Sequence, residues 1–205
     1  MKLNKEIETI AKELVTEFDT IPEDRKEFLS VLTAYIREKK DAGTPIQINY
    51  ICTHNSRRSH IAQCWGAAAA VFYGFENVQS FSGGTSATAL NAHAKQALSS
   101  CGFSFTEVSG GSNPHYEVTY SPEKEPLIVF SKVFSDAANP SADFAAVMVC
   151  SDADQNCPFV PGASKRIKLT YNDPKESDGT GREEQVYLER VKEIGREILF
   201  AFSMV

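Results

Sequence analysis

Apolar positions set the first expectation. Ile7, Ile10, Leu14 and Phe18 recur at the spacing of one helix face, and Phe28, Leu32, Tyr35 and Ile36 repeat the pattern. Between them Thr20 and Glu23 are spaced as a capping box, with Pro22 in the first turn of the second helix. Gly43 is the stop signal. The pattern predicts a helical hairpin over residues 1–43, ahead of an α/β domain over residues 44–205. The expected role of the hairpin is packing, or formation of a homodimer through its helices.

Beyond residue 44 the period changes. Ile46 to Cys52 is a β-branched and aromatic run after Pro45, which predicts a strand. A polar stretch, Thr53 to Ser59, precedes a helix marked by Ile61, Trp65, Ala69 and Phe72. Val78 to Ser82 predicts a second strand ended by Gly83 and Gly84, and residues 90–101 a helix. Ala145 to Cys150 reads as a buried strand, Ile167 to Leu169 as a short one. Tyr187, Val191, Ile194, Ile198 and Phe202 mark a terminal helix. Alternating strand and helix imply a parallel sheet with helices on both faces. Residues 103–144 stand out as an insertion, in which Glu117–Tyr120 and Leu127–Phe130 suit a hairpin and Ser109–Pro114 a loop.

Composition narrows the function classes. A chain of 205 residues with 42% hydrophobic residues can bury a core without staples. The net charge of -6 argues against nucleic acid and anionic membrane as partners. No apolar run reaches transmembrane length and no signal-peptide core follows Met1, so a cytoplasmic protein is expected. Five cysteines without framework spacing fit a reducing compartment.

The chemistry concentrates after the first strand. Cys52-Thr53-His54-Asn55-Ser56-Arg57-Arg58-Ser59 has the form C-x5-R-S between a strand and a helix. A helix N-terminus leaves free N–H groups and a partial positive charge, which suit a tetrahedral anion. Arg58 adds a planar fork for two oxygens. The same field favours a thiolate at Cys52, whose ordinary thiol is only a few per cent ionised at neutral pH. Ser59 is placed to add a hydroxyl hydrogen bond to the sulfur. Farther on, Cys150-Ser-Asp-Ala-Asp-Gln-Asn-Cys157 follows a buried strand. Its two cysteines suit a disulfide across a polar loop, against the plainer reading of incidental cysteines. No second pair with ligand spacing points to zinc, and no metal or other cofactor is expected. Asn172-Asp173-Pro174 offers a carboxyl group for proton transfer, or simply a turn. Cys64 and Cys101 fall in helical segments and read as core.

Tyr50-Ile-Cys-Thr-His-Asn-Ser-Arg-Arg-Ser-His-Ile-Ala resembles the active-site loop of the low-molecular-weight protein tyrosine phosphatase superfamily, which includes thioredoxin-coupled arsenate reductases. The resemblance spans most of residues 46–205, omitting the N-terminal hairpin and much of 103–144. It implies a four-stranded parallel sheet flanked by helices. It also implies that residues 53–59 bind the oxyanion, that Cys52 and Arg58 are catalytic, and that Asp173 is the general acid. The Cys150–Cys157 run resembles the redox loop of the arsenate reductases, and implies a relay of Cys52, Cys150 and Cys157 served by a thioredoxin-type reductant. Departures are His54 where relatives carry Gly, Arg57 where many carry Cys, and Lys175 where tyrosine phosphatases follow Asp-Pro with an aromatic residue. Tyr171 lies just upstream of that pair. His54 tolerates a left-handed backbone and is placed to line the mouth; Arg57 reads equally as an anion contact or a solvated side chain. Asn55 and Ser82 match two potassium-ligand positions of some relatives, but Gln63 replaces a Glu ligand and no site is assigned. Three readings follow: an arsenate reductase, a phosphatase acting on phosphomonoesters through a phosphocysteine, and a non-catalytic oxyanion sensor.

Overall fold

In the computed structural model every residue is described except Pro158. Four strands, β1 (Ile46–Cys52), β2 (Val78–Gly84), β6 (Phe144–Met148) and β7 (Ala163–Lys168), form a parallel sheet in the order β2-β1-β6-β7. The two central strands are the most apolar: all of β6 and all of β1 except Gln47 are buried. That is the pattern of strands covered on both faces. Helices α3 (Arg58–Phe72), α4 (Ala92–Ser99) and α6 (Glu183–Ser203) flank the sheet. α3 is apolar nearly all round because it packs on β1, β2 and α6 together.

The strand order places the site. The chain leaves β1 toward β2 on one side and later returns to β6 on the other. The crevice beyond the C-terminal ends of β1 and β6 is therefore a topological switch point, where ligands of open parallel sheets bind. Cys52 ends β1, and Cys150 lies two residues past the end of β6.

The N-terminal helices α1 (Lys5–Val15) and α2 (Glu23–Asp41) pack on α6, and α2 also reaches β7. Ile7, Leu14, Leu29, Leu32, Tyr35 and Ile36 join the core cluster, so these apolar faces are occupied within the chain. Leu29, not Phe28, takes the inward position at the start of α2; Phe28 is 43% exposed. The capping box is not formed: Thr20 Oγ1 donates to the Glu17 carbonyl inside a short 3₁₀ turn, and α2 starts without a side-chain cap. α2 does stop at Gly43, whose φ of 66° lets the Gly43 and Thr44 amides bond back to Lys40 and Lys39.

Residues 103–144 form a second, antiparallel sheet of β3 (Ser104–Ser109), β4 (His115–Thr119) and β5 (Leu127–Val129). β3 was not expected, and no residue in it is fully buried, so it carries little burial pattern. The chain then crosses back as a strap. The Gly84 amide donates to the Lys132 carbonyl, and the Phe134 amide to the Gly84 carbonyl. Gly83 permits this approach, since a Cβ there would lie 2.4 Å from the Phe134 Cα, while Gly84 makes room for the loop after β1, where a Cβ would lie 2.7 Å from the Asn55 N.

Candidate active site

Cys52 is 4% exposed, yet it lines a small cavity together with His54, Ser56, Arg57, Arg58 and Asp173. Its sulfur lies 3.1 Å from the Ser59 Oγ. Two hydrogen bonds set the direction of this contact. The Lys132 amide donates to the Asn55 Oδ1 (2.8 Å), which orients the Asn55 amide; the Asn55 Nδ2 then donates to the Ser59 Oγ (2.8 Å). Ser59 spends a lone pair on Asn55, and its hydroxyl proton is left for the Cys52 sulfur.

The loop is built so that its own amides stay free. Among the described residues, no backbone N–H of residues 53–59 donates to a protein acceptor. Its carbonyls are engaged instead: Thr53 O by the Ser86 amide, His54 O by the Ser131 and Thr88 hydroxyls, Asn55 O by the His60 ring. Carbonyls held outward and amides left unpaired at a helix start are the features that suit a site to an anion. The left-handed residue of the loop is Asn55, with φ 44°, rather than His54. Asn is among the few side chains that accept this region, and here its bonds to Ser59 and Lys132 hold it there. His54 is exposed at the cavity mouth, and Ser56 Oγ donates to the Ala89 carbonyl (2.7 Å).

Arg58 and Asp173 meet. Arg58 Nη2 donates to the Asp173 Oδ2 at 2.5 Å, Nη1 to the Tyr171 carbonyl at 2.8 Å, and Nε is buried without an acceptor among the described residues. Arg57 fits neither alternative cleanly. Its side chain is 15% exposed, with Nε donating to the Tyr187 hydroxyl at 2.9 Å and Nη2 at 3.6 Å from Asp178. It braces the start of α3 against α6 while still lining the cavity. Tyr171, upstream of the acid, is 5% exposed with its ring under Arg25, so it offers no surface to an aryl substrate.

Cys150 and Cys157 do not flank a loop. They cap a short helix, α5 (Ser151–Asn156), and the Cys150 sulfur accepts the Ala153 amide at 3.3 Å. Thr53 joins this segment to the anion loop: its hydroxyl lies 3.4 Å from the Cys150 sulfur and donates to the Asp152 Oδ2 at 2.6 Å. Cys150 and Cys157 are 1% and 8% exposed. Cys64 and Cys101 are fully buried, and burial pushes their thiols up to about 12 and about 11.

Residues that sequence reading missed belong to long-range contacts. Lys132 is 4% exposed with no carboxylate in salt-bridge range among the described residues, and burial lowers its ammonium to about 8. His60, fully buried beside Asn55 O and Ser82 Oγ, is lowered to about 3 by burial and stays neutral. Ser82 and Gln63 hydrogen-bond each other at 2.7 Å, and no group of three His, Cys, Asp or Glu among the described residues is placed to hold a metal ion. Asp152 had a local signal, an acid two residues after Cys150, but its partner Thr53 lies 99 positions away.

No protein-family profile matches the chain. Solved structures share the fold: the YwlE arginine phosphatase, as a mutant with a phosphorylated active-site serine, is 18% identical, covers 76% of this chain and 93% of its own, and has a TM-score of 0.50. A low-molecular-weight phosphotyrosine phosphatase from Vibrio cholerae O395 is 14% identical, covers 77% of this chain and 94% of its own, and has a TM-score of 0.50. The fold is thus that of the low-molecular-weight phosphatase-like α/β enzymes. An arsenate reductase of Bacillus licheniformis is 30% identical over 157 residues, 74% of this chain and 91% of the relative. One of Bacillus subtilis is 30% identical over 152 residues, with the same coverage. The chain belongs to the arsenate reductase family. Among the described residues no helix is long and apolar enough to cross a membrane.

Proposed function

We propose that this enzyme reduces arsenate through a relay of Cys52, Cys150 and Cys157. Residues 53–59 receive the oxyanion on their free amides, and Arg58, kept on the Tyr171 carbonyl through Nη1, lets go of Asp173 and offers Nη2 and Nε to the anion, which frees Asp173 to carry a proton. The Cys52 thiolate attacks arsenic, and one arsenate oxygen leaves as water with a proton from Asp173. The Cys150 thiolate then attacks the Cys52 sulfur. A Cys52–Cys150 bond forms, the sulfur–arsenic pair stays on arsenic, and arsenite departs. Cys157 attacks the Cys150 sulfur in turn, releasing Cys52 as thiolate into the Ser59 hydrogen bond. The Cys150–Cys157 disulfide is reduced by an external dithiol of the thioredoxin type.

The observation that carries this reading is the Thr53 contact, which sets the second cysteine against the residue next to the first. The same geometry imposes a conformational step. Cys150 and Cys157 stand at opposite ends of α5, roughly 10 Å apart at the helical rise, whereas a disulfide needs Cα atoms within about 7 Å. α5 must unwind for the disulfide to form. A six-residue helix with one buried residue, Ala153, opposes that little.

Phosphomonoester hydrolysis would use the same Cys52, Arg58 and Asp173. Two observations weigh against it: Tyr171 is buried, and Lys175 follows the Asp-Pro pair. A paired assay separates the readings. Cys157→Ser should abolish thioredoxin-linked arsenate turnover and leave aryl phosphate hydrolysis at its wild-type level. Arsenate reduction that survives loss of both Cys150 and Cys157 overturns the relay.

A further inference from the structure

The N-terminal helices lie outside the resemblance, yet one of their side chains reaches toward the candidate site. Arg25, in the first turn of α2, makes a forked pair with Glu197 of α6: Nε donates to Oε1 and Oε2 at 2.9 and 3.0 Å, and Nη2 to Oε2 at 2.8 Å. The side chains of the pair are 18% and 5% exposed. The guanidinium carbon also sits 4.7 Å from the centre of the Tyr171 ring. The Tyr171 amide donates to Val149 O, and its carbonyl accepts from Arg58 Nη1 at 2.8 Å. Two residues on, Asp173 accepts from Arg58 Nη2.

We infer that Arg25 is a positioning residue: clamped by Glu197, it presses on the Tyr171 ring and so fixes the backbone that aims Arg58 and Asp173 at the anion loop. This rests on the reading of Cys52, Arg58 and Asp173 as an oxyanion site. The physical reason for the device lies in the segment between β7 and the 3₁₀ turn Pro174–Ser177. It has no regular structure, and it carries the general acid and one of the two acceptors that hold Arg58. A loop that must keep two groups in register needs a fixed point, and the buried Tyr171 ring supplies one. A planar fork can bond Glu197 along its edge and cover the ring with its face at the same time, which a lysine cannot do.

The test reads anion binding without requiring turnover. Cys52 in the full-length protein is alkylated with iodoacetamide at increasing inorganic phosphate, and modification is located by mass spectrometry. Phosphate should protect wild-type Cys52. Arg25→Lys, and the double variant Arg25→Met with Glu197→Gln that avoids a lone buried charge, should each need about tenfold more phosphate for half protection. Arg196→Met serves as the control. It removes a different ion pair between the N-terminal segment and α6, with Glu17 at 2.9 Å, and should leave protection unchanged. If wild-type Cys52 is not protected, the oxyanion reading itself fails. If wild type is protected and Arg25→Lys matches it, the positioning role is overturned. The same holds if Arg25→Lys lowers the melting temperature without moving the protection curve. Should the double variant not melt cooperatively, Arg25→Lys alone decides.

Discussion

The two cysteine segments at the switch point are held in opposite ways. Around Cys52, Asn55, Ser59 and His60 are buried and bonded to one another, to the strap at Lys132 and to Ser82. Around Cys150, α5 has a single buried residue within it, and its outer faces are tied by a few contacts: Thr53 to Asp152, and Arg166 to Asp154 and to the Cys157 carbonyl. Under the proposed relay the difference would separate two tasks. An anion cradle gains from donors fixed before the ligand arrives, because no reorganisation is then needed at the moment of reaction. A disulfide relay has to change which sulfurs are in contact, so its carrier must sit at the low-stability end of the fold.

The sharpest way to break the contrast is at Asn55. Asn55→Ala removes two buried hydrogen bonds and places a residue with no local polar compensation at φ 44°, so it should destabilise the fold by about 3 kcal/mol. Asn55→Gly keeps the backbone freedom but not the bonds, and should cost less. Chemical denaturation measures both; equal stability of wild type and Asn55→Ala would show that the loop is not fixed by this network. The matched change in the other segment, Asn156→Ala, removes only an exposed bond to Asp152 and should cost under about 1 kcal/mol.

Lys132 gives a pH test of the strap. Its lowered ammonium, about 8 against 10.5 when unperturbed, means that the folded protein releases this proton before the unfolded chain does. Between those values the unfolded state binds more protons, so stability should rise with pH from about 8 to about 10.5. Below that window the buried charge is a fixed cost of roughly 3 kcal/mol. Lys132→Met should therefore stabilise the protein at neutral pH and flatten the profile above pH 8. A variant less stable at neutral pH would mean that the ammonium makes favourable contacts that outweigh its burial.

A smaller effect than that at Asn55 sharpens the comparison where the segments touch. Thr53→Val keeps the shape of the loop and removes the hydroxyl between Asp152 and the Cys150 sulfur. Thioredoxin-linked arsenate turnover should fall about tenfold, while aryl phosphate hydrolysis changes little. Equal losses in both assays would place Thr53 in anion binding instead of in the relay.

Much of this arrangement was legible in the chain because it is local. An unbroken apolar run, a polar loop with C-x5-R-S and a helical stripe determine a strand, a loop and a helix in that order, since backbone period and burial act over neighbouring residues. Other features were misread for equally physical reasons. β3 is an edge strand without a buried side, and α5 is polar and only six residues long, so neither carries a period. His54 was read as able to take a left-handed backbone, yet it is Asn55 that adopts one, with partners 4 and 77 positions away to hold it there. Arg57 found Tyr187 of the last helix, Thr53 found Asp152, and Arg25 found both Glu197 and Tyr171. By itself the sequence determined the strand, loop and helix and the residue types for oxyanion chemistry. Which donors stay free and which cations are already spent on carboxylates were decided only by tertiary packing, because each depends on partners supplied by distant segments.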